Sequence, residues 1–82
     1  MKKKSEMKKK SEMTKAERDE MTQYFREAMA YEGTGRKHIL TARRMFNQDS
    51  PELSIKMLKR AIREGLSNAA DGAAYMLIEV QK

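Results

Sequence analysis

The chain has 82 residues, enough for one small domain, and its lack of cysteine excludes disulfide bonds and thiolate chemistry. Its formal charge of +6 raises the question of an anionic partner, but residues 1–18 carry eight basic and three acidic residues, whereas residues 19–82 carry ten and nine and are nearly neutral. No apolar run follows the basic start, and no stretch approaches the roughly 20 apolar residues of a membrane span, so we expect a cytoplasmic protein with no signal peptide and no membrane partner.

The N-terminal segment is a tandem repeat, because residues 1–6 read Met-Lys-Lys-Lys-Ser-Glu and residues 7–12 repeat them. A duplicated coding segment or an alternative start, for which Met13 is one candidate, is the simpler explanation. A basic arm that contacts phosphates or an acidic surface is the functional alternative. Consecutive lysines repel one another and the segment has no apolar face. We therefore predict a disordered or frayed basic tail over residues 1–13 and a single helical domain over residues 14–82.

Two helices are predicted in the first half of this domain. Thr14 and Glu17 have the spacing of a capping box that begins the first helix, and Gly33 and Gly35 end it. Apolar residues recur between them at helical spacing. These residues are Met21, Tyr24, Phe25, Ala28 and Met29, with Tyr31 at the margin. The second helix is predicted over residues 36–47. Its inner face consists of Ile39, Ala42 and Phe46.

A third helix follows a polar turn. Ser50 is its predicted N-cap and Pro51 its first residue, and it runs to Glu64, after which Gly65 ends it. Its apolar residues cover more than half of its circumference, so we expect this helix to lie centrally between two neighbours. They form two rows, with Leu53, Met57 and Ala61 in one and Ile55, Leu58 and Ile62 in the other.

The fourth helix is predicted to begin after Ser67, its N-cap, and to end near Val80. Its inner face consists of Ala69, Ala70, Ala73, Ala74, Leu77 and Val80. No segment alternates polar and apolar residues with the period of two that a half-buried strand requires. The predicted fold class is therefore all-α, a small bundle of about four short helices arranged as two helical hairpins.

The pattern of helix ends and glycine turns resembles a known family. Residues 55–65, followed by Ala69, read as a helix, a glycine turn and a helix with an alanine at a close-packing position. Residues 30–35 are similar to the glycine turn of such a repeat, and residues 41–46 to the helix after it. Over roughly residues 24–77 the chain thus resembles Sel1-like or tetratricopeptide-like helical repeats. This resemblance implies a scaffold that binds proteins or peptides without catalysis.

The sequence offers no catalytic or metal-binding constellation. His38 is the only histidine, and no second histidine or cysteine lies one helical turn away, so a half-buried or surface histidine is the simpler interpretation. Asp19 and Glu20 lie at a helix start, where the helix dipole accounts for an acidic pair. Residues 33–35 have the composition of an anion cradle before a helix, but a turn between helices explains them without a ligand. We therefore predict no enzymatic activity, no metal and no cofactor.

The best positive signal is a set of basic side chains on the outer faces of the second and third helices. Those of the third helix lie at i, i+3, i+4 and i+7, and those of the second surround Leu40 without an acidic residue among them. Tyr75 lies on the polar side of the fourth helix and is a further candidate contact residue. The simpler interpretation is that these basic side chains only form a solvated face. The more specific interpretation is that they form a binding surface. The candidate binding surface consists of Arg36, Lys37, Leu40, Arg43, Arg44, Lys56, Lys59, Arg60, Arg63 and Tyr75.

These features favour a small non-catalytic protein-binding module, an adaptor or inhibitor that acts by protein–protein contact. An acidic surface of a protein and a second copy of the chain are the expected partners, since a small helical body gains buried apolar area in a dimer. The alternative is a nucleic-acid-binding or regulatory protein that contacts phosphates through the basic faces and the Lys-rich tail. Nucleic acid is the second choice because no aromatic residue is interleaved with the basic ones and no helix-turn-helix signature is present.

Overall fold

The computed structural model describes residues 9–80 and contains four α-helices in that range, with no strand. The helices are α1 (Lys15–Met29), α2 (Arg36–Asn47), α3 (Pro51–Arg63) and α4 (Asn68–Val80), and a short 3-10 helix, Lys10–Glu12, precedes them. The predicted all-α bundle of four short helices is thereby confirmed. Residues 1–8, which contain the first copy of the repeat and most of the predicted tail, lie outside the described residues, as do residues 81–82.

The predicted helix ends are largely confirmed by the local hydrogen bonds. Thr14 Oγ1 accepts from the Glu17 amide at 3.1 Å, and Glu17 Oε1 accepts from the Thr14 amide at 2.9 Å, so the capping box begins α1 as predicted. The bounds of α2 agree with the prediction, and α3 ends one residue early, before Glu64. Gly65 follows with φ +83°, a left-handed conformation that glycine adopts without steric cost.

The prediction that Gly33 and Gly35 end the first helix is wrong. Helix α1 ends at Met29, with Ala30 as its C-cap. Neither glycine has the positive φ of a glycine cap.

Two predicted N-caps are wrong in their chemistry. Ser50 occupies the N-cap position of α3, but its side chain makes no capping hydrogen bond, and the fixed φ of Pro51 is the feature that favours the helix start. The Ser67 hydroxyl is buried and has no hydrogen-bond partner among the described residues, so it does not cap α4.

Each helix of the bundle packs against two others. The contacts join α1 to α2, α2 to α3, α3 to α4 and α4 back to α1. The expectation that α3 touches two neighbours is confirmed, and the contact between α1 and α4 closes the ring. The predicted inner residues of α1, α2 and α4 supply most of the core. The buried apolar side chains include Met21, Phe25, Ala28, Ile39, Ala42, Phe46, Leu58, Ala61, Ala69, Ala70, Ala73, Ala74, Leu77 and Val80.

The two apolar rows of α3 are only partly buried. Leu53 is 47% exposed, whereas Ser54, which was not predicted to face inward, is fully buried. The Ser54 hydroxyl donates to the Ala42 carbonyl at 2.8 Å and so satisfies its hydrogen-bonding requirement inside the α2–α3 contact. The small polar residue Ser54 is therefore part of the contact between α2 and α3, whereas the larger apolar residue Leu53 next to it is exposed.

Residues 9–13, predicted to belong to the disordered tail, are instead ordered; we call them the N-terminal strap. Met13 is only 3% exposed and is part of the core. Lys10 Nζ donates to Asn47 Oδ1 at 2.8 Å, and the Ser11 amide donates to Asp49 Oδ1 at 3.1 Å. The partners of Lys10 and Ser11 lie at the end of α2 and in the turn after it, 37 and 38 residues along the chain, so a local pattern did not indicate this order.

Candidate interaction surface

The charges of the domain are separated into two sides. The neighbours α2 and α3 together carry eight basic residues and one acidic residue, Glu52, a net charge of +7. The neighbours α1 and α4 carry three basic and six acidic residues, a net charge of −3. The near neutrality that the sequence showed for the domain conceals this separation, and the loop residues Glu32, Asp49 and Glu64 contribute the rest of the negative charge.

The basic residues of α2 and α3 are not neutralised internally. Among residues 9–80 the contacts with ion-pair geometry are Lys15 with Asp19, at 3.0 Å, and His38 with Glu64, at 3.2 Å, of which the second is charged only when His38 is protonated. Neither pair includes any of the eight basic residues of α2 and α3, so in the described part of the chain these residues have no carboxylate within ion-pair distance. Their positive charge is available to an anionic group outside the molecule.

A groove of about 430 Å³ lies along one edge of α2, where the end of α1 meets it; we call it the α1–α2 groove. Its lining consists of Met29, Leu40, Arg43, Arg44, Asn47 and Gln48. Leu40 is 40% exposed and Met29 is half-buried, so the lining offers apolar contact area. Arg43 Nη1 lies 3.2 Å from the Met29 sulfur atom, a contact that holds this guanidinium group against the groove.

A second groove, of about 230 Å³, lies between α3 and α4; we call it the α3–α4 groove. Its lining consists of Lys59, Ile62, Asp71, Ala74, Tyr75 and Ile78. Tyr75 is 63% exposed, so the expectation that this tyrosine points outward is confirmed. The α1–α2 groove and the α3–α4 groove share no lining residue and no helix.

The ten residues of the candidate binding surface thus do not form one patch. Leu40, Arg43 and Arg44 meet in the α1–α2 groove, and Lys59 and Tyr75 meet in the α3–α4 groove. The remaining five are exposed on the outer faces of α2 and α3 and line neither groove. These are Arg36, Lys37, Lys56, Arg60 and Arg63.

Sequence reasoning missed the residues that complete each groove. Met29 was assigned to the inner stripe of α1, although its position in the last turn of that helix leaves it at the edge of the core. Asn47 and Gln48 were treated only as the end of a helix and a turn. Ile62 has helical spacing that fits a core, and only the relative rotation of α3 and α4 leaves it at the groove, beside Ile78, which the spacing predicts at the edge of the inner face of α4. That rotation is a tertiary property.

His38 has a structural contact that explains its position. Its Nε2 atom lies 3.2 Å from Glu64 Oε2, which joins the start of α2 to the residue after α3. The side chain is half-buried, in line with the simpler interpretation of this histidine. Within residues 9–80, no group of three or more His, Asp or Glu side chains has the proximity needed to hold a metal ion.

A perturbed tyrosine lies on the acidic side of the bundle, away from both grooves. Tyr24 Oη donates to Glu20 Oε2 at 3.2 Å, and this hydrogen bond and the negative charge of Glu20 raise the pKa of the Tyr24 phenol above its ordinary value of 10.0. Partial burial and the charge of Glu27 add smaller increases to the pKa. The folded chain therefore binds the phenolic proton more tightly than the unfolded chain, and the resulting stability is lost as the pH rises through the folded pKa.

Replacing Glu20 with alanine is expected to lower the pKa of Tyr24 towards 10.0, because both the acceptor and its charge are removed. Glu27→Ala, the matched control, should lower it less, since Glu27 acts only through its charge. The measurement is a spectrophotometric pH titration of tyrosinate in a chain whose Tyr31 and Tyr75 are replaced with phenylalanine. Equal shifts in the two variants would contradict the assignment of Glu20 as the main cause.

The fold and its two grooves define a small, closed four-helix bundle with a basic and an acidic side. No family model matches the sequence, and no curated protein or solved structure matches it either. Within the described range, no helix has both the length and the apolar character required to cross a membrane. The inference of function therefore depends on the surfaces of the bundle itself.

Proposed function

We propose that this protein is a non-catalytic protein-binding module, an adaptor or inhibitor, whose α1–α2 groove binds an acidic segment of a protein partner. The observation that carries this proposal is the position of the exposed Leu40 beside Arg43 and Arg44, which have no carboxylate partner among the described residues. An apolar anchor with a cationic rim is the arrangement expected of a contact surface for an acidic, partly apolar segment.

The two kinds of side chain contribute differently to such an interface. Burial of Leu40 and Met29 removes apolar surface from water, at about 25 cal/mol per Å². Arg43 and Arg44 can each bind a carboxylate through two parallel N–H donors, which fixes the register of the partner. Because Arg43 already contacts the Met29 sulfur atom, its side chain loses less conformational freedom on binding than a free arginine does.

Other features support the same class of function. The resemblance to Sel1-like or tetratricopeptide-like repeats implies protein or peptide binding. The one histidine is paired with Glu64, which gives it a role without a catalytic step. A cytoplasmic location is part of the proposal, because a chain without cysteine suits a reducing compartment.

The test begins with a pull-down from nuclease-treated lysate and continues with the recovered partner in purified form. Arg43→Glu with Arg44→Glu is expected to weaken its binding by at least about 30-fold, the effect of a hot-spot change near 2 kcal/mol. The matched control is Lys56→Glu with Arg63→Glu, which changes the net charge equally on the outer face of α3. Isothermal titration calorimetry should show less than about 3-fold weakening for this control.

Leu40→Ser separates the apolar anchor from the charge. This substitution leaves the net charge unchanged and should weaken binding by about 5-fold, because a partly exposed leucine contributes on the order of 1 kcal/mol when it becomes buried. The α1–α2 groove is not the docking site if the double variant of Arg43 and Arg44 and the control double variant on α3 weaken binding equally and Leu40→Ser has no effect.

A second candidate, nucleic-acid binding, is favoured by the net charge of +7 on α2 and α3. It predicts recovery of nucleic acid that is lost on nuclease digestion, and an affinity that falls steeply with salt. In that case the double variant of Arg43 and Arg44 and the control double variant on α3 should both weaken binding, because phosphate contacts along a basic face are nearly equivalent. A purified chain that binds no nucleic acid at low salt would exclude this candidate. Binding that survives Arg43→Glu with Arg44→Glu, together with deletion of residues 1–12, would exclude the basic face of α2 and the Lys-rich tail as its contact surface.

A further inference from the structure

The α3–α4 groove differs from the α1–α2 groove in carrying charges of both signs. Lys59 on α3 and Asp71 on α4 line it together with apolar side chains from both helices. Neither charged residue belongs to an ion pair within residues 9–80. The groove therefore presents an apolar strip with one unpaired positive and one unpaired negative group.

Such a surface is complementary to itself. In a symmetric dimer the same patch occurs on both subunits, so that if residue i of one copy contacts residue j of the other, then j also contacts i. A two-fold axis through the α3–α4 groove would place Lys59 of each copy against Asp71 of the other, giving two equivalent ion pairs. The exposed ring of Tyr75 and the half-buried Ile62 and Ile78 would supply the apolar centre.

We propose that the α3–α4 groove is the interface of a symmetric homodimer. The charges that line this groove favour a second copy over an acidic partner, since Asp71 would repel an acidic segment, whereas a second copy presents Lys59 to Asp71. The outward face of Tyr75 also gains a partner in this arrangement. Among the large apolar side chains exposed in the described range, it is the most exposed.

Dimerisation would also affect how the α1–α2 groove binds its partner. This consequence, unlike the dimer itself, rests on the proposed function. The α1–α2 groove shares no lining residue with the α3–α4 groove, so dimerisation through the latter leaves the former open in both copies. A dimer would then present two docking sites, and a partner with two acidic segments would bind with higher avidity than to a monomer.

Charge reversal tests the interface. In a dimer of the Lys59→Asp variant, two aspartates face each other at both symmetric contacts. In a dimer of the Asp71→Lys variant, two lysines face each other at both contacts. Each single variant should raise the dimer dissociation constant by at least about 100-fold, because like charges face each other twice. The double variant restores both pairs with reversed sign and should return the dissociation constant to within about 10-fold of the wild-type value. Sedimentation equilibrium of the full chain measures each constant.

An equimolar mixture of the two single variants gives the sharpest result. In the mixed dimer both contacts are complementary, so two chains that are monomeric alone should form a dimer together. This result would not arise if either substitution acted by unfolding its own chain, and circular dichroism of each variant provides the matching control. A wild-type chain that stays monomeric at about 1 mM, or single variants that dimerise as tightly as wild type, would overturn the proposal.

Discussion

Deletion of residues 1–12 is expected to lower the melting temperature by roughly 10 to 20 °C more than deletion of residues 1–6 does. The longer deletion removes the Lys10–Asn47 and Ser11–Asp49 hydrogen bonds of the N-terminal strap. It also removes Lys10 from the face of Phe46, where Nζ lies 5.7 Å from the ring centroid. Together these contacts contribute about 2 to 3 kcal/mol, a large share of the stability of a domain this small.

The repeat supplies a matched control for this prediction. Deletion of residues 1–6 leaves a chain that begins at Met7 and keeps every contact of the strap. Deletion of residues 7–12 gives the same sequence, so a single copy of the repeat is enough to build it. The longer deletion also makes Met13 the first residue, which places a charged amino group beside a side chain that is 3% exposed. Thermal unfolding followed by circular dichroism measures the difference, and equal melting temperatures would show that the strap adds no stability.

The strap also shows where local sequence patterns stop being informative. The capping box of Thr14 and Glu17 and the bounds of α2 were predictable because the interactions that define them lie within four residues of one another. The partners of Lys10 and Ser11 lie 37 and 38 residues away along the chain. Consecutive lysines in a sequence predict repulsion. Only the closed bundle places the Asn47 amide and the Phe46 ring beside Lys10, and the Asp49 carboxylate beside the Ser11 amide.

The candidate site was predictable in its residue types but not in its grouping. The exposure of Leu40 and Tyr75 follows from their positions on the helix faces. Periodicity does not say which helix edges meet, so the α1–α2 groove and the α3–α4 groove could not be distinguished before the ring of contacts was known. For the same reason, counting charges over the domain concealed that its basic and acidic residues occupy different sides.

Phe46→Ala is expected to reduce the free energy of unfolding by about 3 to 5 kcal/mol, the usual cost of truncating a buried phenylalanine. Its ring is 2% exposed and lies 5.6 Å from the Phe25 ring, between centroids, with an interplanar angle of 39°. Small domains have total stabilities near the lower end of about 5 to 15 kcal/mol, so this variant should be largely unfolded at mild urea concentrations. Phe46→Leu, which keeps most of the volume, should cost less than about 2 kcal/mol.

The Phe46 ring also contacts Lys10 of the N-terminal strap, and the energy of this contact can be measured. Because Lys10 lies over Phe46, the loss caused by Lys10→Ala should be smaller in a Phe46→Leu background than in the wild-type chain. Urea unfolding of the two single variants and the double variant should give a coupling of about 0.5 to 1 kcal/mol. Lys15→Ala, on an exposed face of α1, is the control and should show no coupling. Strictly additive losses would mean that the strap is held by its hydrogen bonds to the α2–α3 turn alone, without a contribution from the aromatic ring.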